Sequence, residues 1–209
     1  MIEEIQMEET NNYEKWCEQW RAKFLKMNQE ELKRRLPELK EEGNRLTICH
    51  FGRKLGVHKE DGRILAMDDQ DPVTCYERLN VYTLFGYVSS LAHYKDNWVR
   101  FDQLKNTSPF SKAFQEGVVE PFSRMFSGHV KELSYACEKL GGKKLTWSDA
   151  GYELKAFECI PVRFLFWDGD DEFPAQGNLL FDASATDFIH GESVVTIAAI
   201  GLDRIAKLA

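Results

Sequence analysis

The chain has 209 residues, a formal net charge of −7 at pH 7, and a composition that is 43% hydrophobic and 12% aromatic. This composition supports a sizeable core and excludes an intrinsically disordered chain. No uninterrupted apolar run approaches the roughly 18 residues of a transmembrane helix, so we expect no membrane span. Residues 1–6 lack the basic and apolar regions of a signal peptide, which predicts a cytoplasmic protein.

The acidic charge is concentrated in one segment. Between Asp149 and Ser193 there are ten acidic residues and two basic ones, a balance of −8, so the rest of the chain sums to about +1. Binding to nucleic acid requires clustered Lys and Arg that neutralise phosphates. The charge distribution therefore favours a metal, a cationic ligand or a basic partner surface, or serves solubility alone.

The cysteines are odd in number, widely spaced and never form a Cys-x-x-Cys pair. This spacing gives no local zinc or iron–sulfur motif and predicts free thiols in a reducing compartment. The five are Cys17, Cys49, Cys75, Cys137 and Cys159.

The N-terminal segment, residues 1–42, is predicted to be a helical arm packed on or appended to a single domain that spans residues 1–209. Aromatic residues recur every three or four positions over residues 11–27, which predicts an amphipathic helix whose stripe contacts the core or forms a dimer seam. Asn28, with Glu31 three residues later, is a predicted N-cap of a second short helix that ends before Pro37.

Residues 45–67 change to the alternating pattern of strands and predict a small antiparallel meander, with a tight turn at residues 60–62. The segment that follows is predicted to be mainly helical. Asp71-Pro72 has the pattern of an N-cap followed by proline in the first turn of a helix extending to Leu91, and Glu120-Pro121 predicts a helix break and restart. Gly141-Gly142 is expected to end the last of these helices.

The C-terminal third predicts a second strand region. Residues 162–167 and 178–182 are expected to pair antiparallel, with Pro161 bending or ending a strand at a sheet edge. Ser184 and Asp187 have the spacing of a capping box for one helical turn that ends at Gly191, and residues 193–208 are expected to form a closing helix. The fold class predicted is α+β, with mainly antiparallel sheet regions at residues 45–67 and 151–182 packed with helices.

The hairpin loop between the two predicted strands carries the densest group of carboxylates, and it is the first candidate binding site for a cation or a basic partner. Trp167 and Phe173 flank this loop and are predicted to be buried anchors. The loop group comprises Asp168, Asp170, Asp171 and Glu172. A second candidate pocket comprises Asp182, His190 and Glu192, for which structural capping is the competing interpretation. Because the hairpin places Asp168 and Asp182 at opposite strand ends, we expect two groups rather than one.

Known metal motifs do not fit the acidic segment. Read as an EF-hand loop starting at Asp168, it has Phe173 where glycine is required and Leu179 where the bidentate glutamate is required. His190-Gly191-Glu192 has the His-x-Glu form of zinc deaminases, but no Pro-Cys-x-x-Cys follows it. No cofactor is therefore assigned from a motif.

The C-terminal run Phe-Leu-Phe-Trp-Asp-Gly-Asp-Asp-Glu-Phe-Pro, with the later Leu-Leu-Phe-Asp and His-Gly-Glu-Ser, resembles an uncharacterised domain-of-unknown-function family of anaerobic bacteria and archaea. The Trp98-x-x-Phe segment is similar too, so the resemblance extends over most of residues 10–207. Some members of that family are fused to small four-cysteine iron–sulfur modules like those of corrinoid proteins. This chain lacks such a module, so the resemblance implies a separate iron–sulfur or corrinoid protein as partner.

Two functional hypotheses follow. The first is a non-catalytic binding or accessory protein of anaerobic metabolism, serving a corrinoid or iron–sulfur enzyme and using the acidic loop to contact a cation or a basic partner. The second is a small metal-dependent enzyme that uses an Asp/Glu/His cluster.

Overall fold

The computed structural model describes residues 2–209, with side chains described for residues 12–209. Met1 and the side chains of residues 2–11, on which the prediction about a signal peptide depends, lie outside the described part. The helices are α1 (Ile2–Phe24), α2 (Gln29–Arg35), α3 (Cys75–Tyr87), α4 (Ser111–Phe114), α5 (Glu120–Met125), α6 (Val130–Lys139), α7 (Ala185–Phe188) and α8 (Gly191–Ala206). Among residues 2–209, no helix combines the length and the apolar character needed to cross a bilayer.

Two antiparallel sheets complete the secondary structure and confirm the predicted α+β class. The first has the order β1-β2-β3-β4, with strands β1 (Lys40–Glu42), β2 (Arg45–His50), β3 (Arg53–His58) and β4 (Ile64–Ala66). The second has the order β5-β9-β8-β7-β6, with strands β5 (Trp98–Arg100), β6 (Lys143–Leu145), β7 (Ala150–Phe157), β8 (Ile160–Trp167) and β9 (Gln176–Asp182).

The predicted hairpin is confirmed in its pairing. Strands β8 and β9 run antiparallel, with Trp167 opposite Gln176 and Val162 opposite Phe181. The core face of β8 carries Val162, Phe164 and Phe166, all at most 1% exposed. The Phe122 ring of α5 packs on this face, 5.9 Å from the Phe164 ring and 5.5 Å from the Phe166 ring.

Two proline predictions were wrong. Pro161 lies in β8, an internal strand flanked by β7 and β9, where a register shift between Lys155 and Phe157 accommodates its missing N–H. Pro121 does not break its helix, because a π-helical turn at Gln115–Val119 connects α4 to α5 and Glu120 donates to the carbonyl of Gln115.

The starts of two later helices also differ from prediction. Helix α3 begins after Thr74, which forms a capping box with Glu77, rather than after Asp71, and it ends at Tyr87. Ser184 makes no side-chain cap for α7, because its hydroxyl donates to Asp182 instead. Gly191 begins α8 rather than ending α7. The predicted Asn28 cap of α2 is confirmed by its side-chain contact to the Glu31 N–H at 3.1 Å.

The interface between α3 and α8 contains a chain of polar groups, which we call the polar seam (His50, Asn80, Thr83, Ser193 and Thr196). Ser193 donates its hydroxyl to Thr83 at 3.0 Å, and Thr196 donates to the amide oxygen of Asn80. The Asn80 amide nitrogen lies 3.4 Å from the Nε2 atom of His50. Leaving buried polar groups without partners is costly, so the Ser193–Thr83 and Thr196–Asn80 hydrogen bonds fix how the two helices meet.

Arg53 continues the polar interior beyond His50, which lies opposite it in the β2–β3 pair. Its guanidinium is 4% exposed and binds Asp69 at 2.7 and 2.9 Å and Glu77 at 2.8 Å. Burial raises the pKa of Glu77, but the Thr74 N–H and Arg53 outweigh this effect and hold it below its ordinary value. This ion pair joins the first sheet to the start of α3.

We expect Arg53→Ala to lower the free energy of unfolding by about 3–5 kcal/mol, because it leaves the Glu77 carboxylate buried without its charge partner. Urea unfolding at neutral pH measures this loss. The matched control is Arg35→Ala, which removes the solvent-exposed Arg35–Glu31 pair and should cost about 1 kcal/mol or less. Similar losses in both variants would contradict a structural role for the buried pair.

His50 is expected to make stability depend on pH. It is 1% exposed, its Nδ1 atom has no hydrogen-bond partner among the described residues, and burial lowers its pKa from 6.5 to about 4. Between these two values the unfolded imidazole takes up a proton that the folded one does not, so stability is lost as the pH falls. The expected loss across this window is about 3 kcal/mol.

Urea unfolding at several pH values from 7 to 4 tests this. Protonation of carboxylates with lowered pKa values, such as Glu77 and Asp182, also destabilises the folded protein as the pH falls. The pH profile of the wild type is therefore compared with that of His50→Gln. The variant should show a shallower decline than the wild type. Parallel pH profiles would show that the pKa of His50 does not differ between the folded and unfolded states.

Candidate functional site

The acidic loop, residues 168–175, connects β8 to β9 and is held by its own carboxylates. One oxygen of Asp168 accepts from the backbone N–H of Gly128 at 2.8 Å and of Gly169 at 2.9 Å. The Asp168 N–H donates to Asp149 at 2.8 Å. Asp168 thus connects three loops, and its Oδ1 atom is engaged by the protein backbone.

Asp170 has a similar internal role. Its Oδ1 atom accepts from the backbone N–H groups of Glu172 and Phe173, both at 2.8 Å, and these bonds lower the pKa of Asp170. This is the local side-chain-to-backbone turn that aspartate favours. Asp171 and Glu172 are exposed, and no side-chain contact within the described residues engages them.

The predicted burial of Trp167 and Phe173 was wrong. Trp167 is 37% exposed and Phe173 is 64% exposed. Trp167 lies on the face of β8 opposite Phe164 and Phe166, which are the residues that pack against helices. Backbone hydrogen bonds to Asp168 and Asp170 hold the loop, so it does not require aromatic anchors.

The residues of the second candidate pocket, Asp182, His190 and Glu192, do not all lie together. Asp182 ends β9 at the opposite end of the hairpin from Asp168 and is 1% exposed. Its carboxylate accepts from the N–H groups of Lys95 at 3.2 Å, Asn97 at 3.0 Å and Ser184 at 2.9 Å. Burial raises the pKa of Asp182, but these hydrogen bonds outweigh it and hold the pKa below its ordinary value. Asp182 therefore connects a strand end to its neighbouring loops.

His190 and Glu192 stand together at the N-terminus of α8, in a different environment from Asp182. The Nδ1 atom of His190 accepts from the Glu192 N–H at 3.3 Å, which makes His190 the N-cap of this helix. With Nδ1 accepting, the neutral ring carries its proton on Nε2. Both side chains line a pocket that Asp182 does not reach.

We call this cavity the helical pocket; it has a volume of about 260 Å³ and lies among α1, α3 and α8. Its characteristic lining residues are Trp16, Trp20 and Lys23 of α1, Tyr87 of α3, and His190 and Glu192 at the start of α8. The Tyr87 ring lies 5.6 Å from the Trp20 ring and 5.1 Å from the imidazole of His190. Aromatic walls with a few polar groups are typical of small-molecule sites.

The floor of the helical pocket is one end of the polar seam. Thr83, Ser193 and Thr196 all line the cavity, and their hydroxyls are hydrogen-bonded within the protein. The floor is therefore preformed and polar, while the walls are aromatic. Rigid polar groups beside apolar walls can orient a bound molecule without rearrangement of the protein.

Sequence reasoning found His190 and Glu192 but assigned the α1 aromatics to core or dimer contact and did not single out Thr83 or Tyr87. One signal was present. The aromatic stripe of α1 is wider than one seam, and only part of it is needed for the core, since Cys17 and Phe24 are at most 1% exposed while Trp16 is 43% exposed.

No metal centre is assembled from the candidate residues in the described part of the chain. Among residues whose side chains are described, no group of three or more His, Cys, Asp or Glu is arranged to hold a metal ion. The loop carboxylates, Asp182 and the His190–Glu192 pair lie in three separate environments, so they form no single Asp/Glu/His cluster.

Comparison with known proteins gives one match. Neither the curated proteins nor the solved structures contain a significant match to this chain. At the family level, residues 28–204 match a domain of unknown function, a segment that covers both sheets and α2 to α8 and excludes α1. The chain therefore belongs to the family described as domain of unknown function DUF3786.

Proposed function

We propose that the protein is a non-catalytic binding protein whose small organic ligand occupies the helical pocket. The observation that carries this proposal is the construction of the cavity, in which aromatic walls from α1 and α3 stand over a floor of hydroxyls already bonded within the polar seam. A binding site benefits from such preorganisation, because little entropy is lost when the ligand enters.

We propose that the protein acts as an accessory protein of a corrinoid or iron–sulfur enzyme of anaerobic metabolism. Its support is the resemblance carried by the Phe-Leu-Phe-Trp-Asp-Gly-Asp-Asp-Glu-Phe-Pro run described above. The chain contains no Cys-x-x-Cys pair, so an iron–sulfur centre in this setting would belong to a separate partner.

The acidic loop is our proposed contact for a basic partner protein. Asp171, Glu172 and Phe173 are exposed side by side, on a loop whose backbone is fixed by Asp170. An exposed aromatic beside charges of one sign suits a protein interface, where aromatic residues provide contact area and charges steer association.

The metal-dependent alternative has less support, since no ligand set is assembled in the described part of the chain.

The ligand proposal predicts selective retention of a compound. Purified protein is dialysed against a small-molecule extract of anaerobically grown cells, and the retained compounds are identified by mass spectrometry. Wild type should enrich at least one compound, and Tyr87→Ala should retain about tenfold less of it because a pocket wall is lost. The matched control is Tyr135→Ala, an exposed tyrosine on α6 outside the pocket, which should behave as wild type.

Two outcomes would contradict the ligand proposal. One is that wild type enriches nothing. The other is that Tyr87→Ala and Tyr135→Ala retain equal amounts of an enriched compound, which would place binding elsewhere. Melting curves of both variants establish that each is folded before retention is compared.

The partner proposal predicts that the loop binds a cationic probe. A fluorescent octalysine peptide is titrated against the protein, and anisotropy gives the affinity. Asp171→Asn with Glu172→Gln should weaken binding about fivefold at low salt, with the difference disappearing at high salt. Glu60→Gln with Glu116→Gln removes the same charge from other exposed sites and should have a smaller effect.

Calorimetric titration with calcium, magnesium, manganese and zinc separates a partner surface from a cation site. Saturable heat that is lost in the loop variant would favour the cation and overturn the partner assignment. Equal weakening of the peptide by the loop and control variants would show that the loop only adds to a general surface charge.

A further inference from the structure

The helical pocket contains two charged side chains of opposite sign. Lys23 lies on α1 with its ammonium 3.8 Å from the centre of the Trp20 ring, and Glu192 lies on α8. Among residues with described side chains, neither forms an ion pair with an opposite charge. Neighbouring charges do pair, since Arg21 binds Glu18 and Arg78 binds Glu14. The pocket therefore presents one positive and one negative group, on different helices, that no described side chain neutralises.

The two charged residues differ in exposure. Glu192 is half-buried, whereas Lys23 is exposed. An acidic residue in the first turn of a helix is favoured by the helix dipole. The dipole acts on an exposed side chain as well, so it does not require Glu192 to line an aromatic cavity. A carboxylate beside such walls is well placed to pair with the cationic group of a ligand.

The aromatic walls, like the Glu192 carboxylate, favour a cationic group of a ligand. A cation above a tryptophan or tyrosine ring is attracted by the negative face of the ring. Lys23 already makes such a contact with Trp20, so the protein itself provides an example of an ammonium on this wall. The rest of the ring surface, from Trp16 and Tyr87, is apolar and suits a hydrocarbon side chain.

We propose that the ligand of the helical pocket is a free amino acid with an apolar side chain, which rests on the proposed binding function. Its ammonium group pairs with Glu192 and its carboxylate pairs with Lys23. Its side chain packs against Trp16, Trp20 and Tyr87. A volume of about 260 Å³ lies below the range usual for drug-sized ligands and suits one small molecule of this kind.

The test uses ligands that each lack one charged group. Isothermal titration calorimetry measures binding of L-phenylalanine, of 3-phenylpropanoate, which lacks the ammonium, and of phenethylamine, which lacks the carboxylate. L-leucine is compared in the same way with isocaproate and isopentylamine. At least one amino acid should bind about tenfold more tightly than either of its analogues, because charge-assisted hydrogen bonds are added at both ends.

Single substitutions then assign the ends. In Glu192→Gln, the amino acid should bind no more tightly than the analogue without ammonium, but still more tightly than the amine. In Lys23→Gln, it should bind no more tightly than the amine, but still more tightly than the analogue without ammonium. Lys26→Gln, an exposed lysine just beyond α1, is the matched control and should keep both advantages. A purely structural role for Glu192 or Lys23 would weaken all ligands alike and would not give this crossed pattern.

The inference is overturned if neither amino acid binds more tightly than its own analogues, or if the two variants lose affinity uniformly. This outcome is distinguishable from failure of the proposed function. A compound that is retained from the extract in a Tyr87-dependent manner but lacks paired ammonium and carboxylate groups would leave the binding function standing and remove only the amino-acid assignment.

Discussion

Buried hydroxyl and amide groups are costly to leave without hydrogen-bond partners, and in this protein that cost sets the relation between α3 and α8. Thr83 pairs with Ser193, and Asn80 pairs with Thr196. A shift of one helix along the other would break both pairs, at about 1–3 kcal/mol for each buried group left unsatisfied. One register is therefore strongly preferred. In that register the start of α8, with His190, stands beside Tyr87 at the end of α3.

The carboxylates of the β8–β9 hairpin illustrate a second use of charge. Asp168 and Asp170 at one end, and Asp182 at the other, accept backbone N–H groups that no strand or helix satisfies. Each carboxylate fixes the path of a loop. An acidic segment of this kind resembles a metal site in sequence, because both require several oxygens close together. The difference lies in what the oxygens face, and here they face the protein backbone.

Local patterns predicted most of the fold. Alternation in residues 162–167 and 178–182 was sufficient to pair β8 with β9, and the Asn28 cap was readable from its spacing to Glu31. The start of α3 was missed although Thr74 and Glu77 have the spacing of a capping box, because the Asp71-Pro72 pattern competed with it. The helix break predicted at Pro121 was wrong because a π-helical turn accommodates a proline that an ideal helix would not tolerate.

The helical pocket was beyond sequence reasoning, because its residues come from three helices far apart in the chain. Density of carboxylates drew attention to the acidic loop, whereas Trp20, Tyr87 and Glu192 are separated by more than a hundred positions in total and form no motif. Only the packing of α1 on α3, and of α3 on α8, brings them together. Those contacts depend on core residues whose partners a hydrophobic pattern does not specify.

The origin of the pocket walls bears on what determines its ligand. The family match begins at residue 28, so α3 and α8 belong to the DUF3786 domain while α1 precedes it. Helix α1 is nonetheless firmly attached, because Phe24 is fully buried and Arg21 donates to the carbonyl of Asp61 at 2.9 Å. With the proposed ligand, Glu192 of the domain selects the ammonium, while Lys23 and the two tryptophans of α1 select the carboxylate and the side chain. Recognition is then divided between the domain and the helix before it, so a change in α1 would alter the ligand without altering the domain.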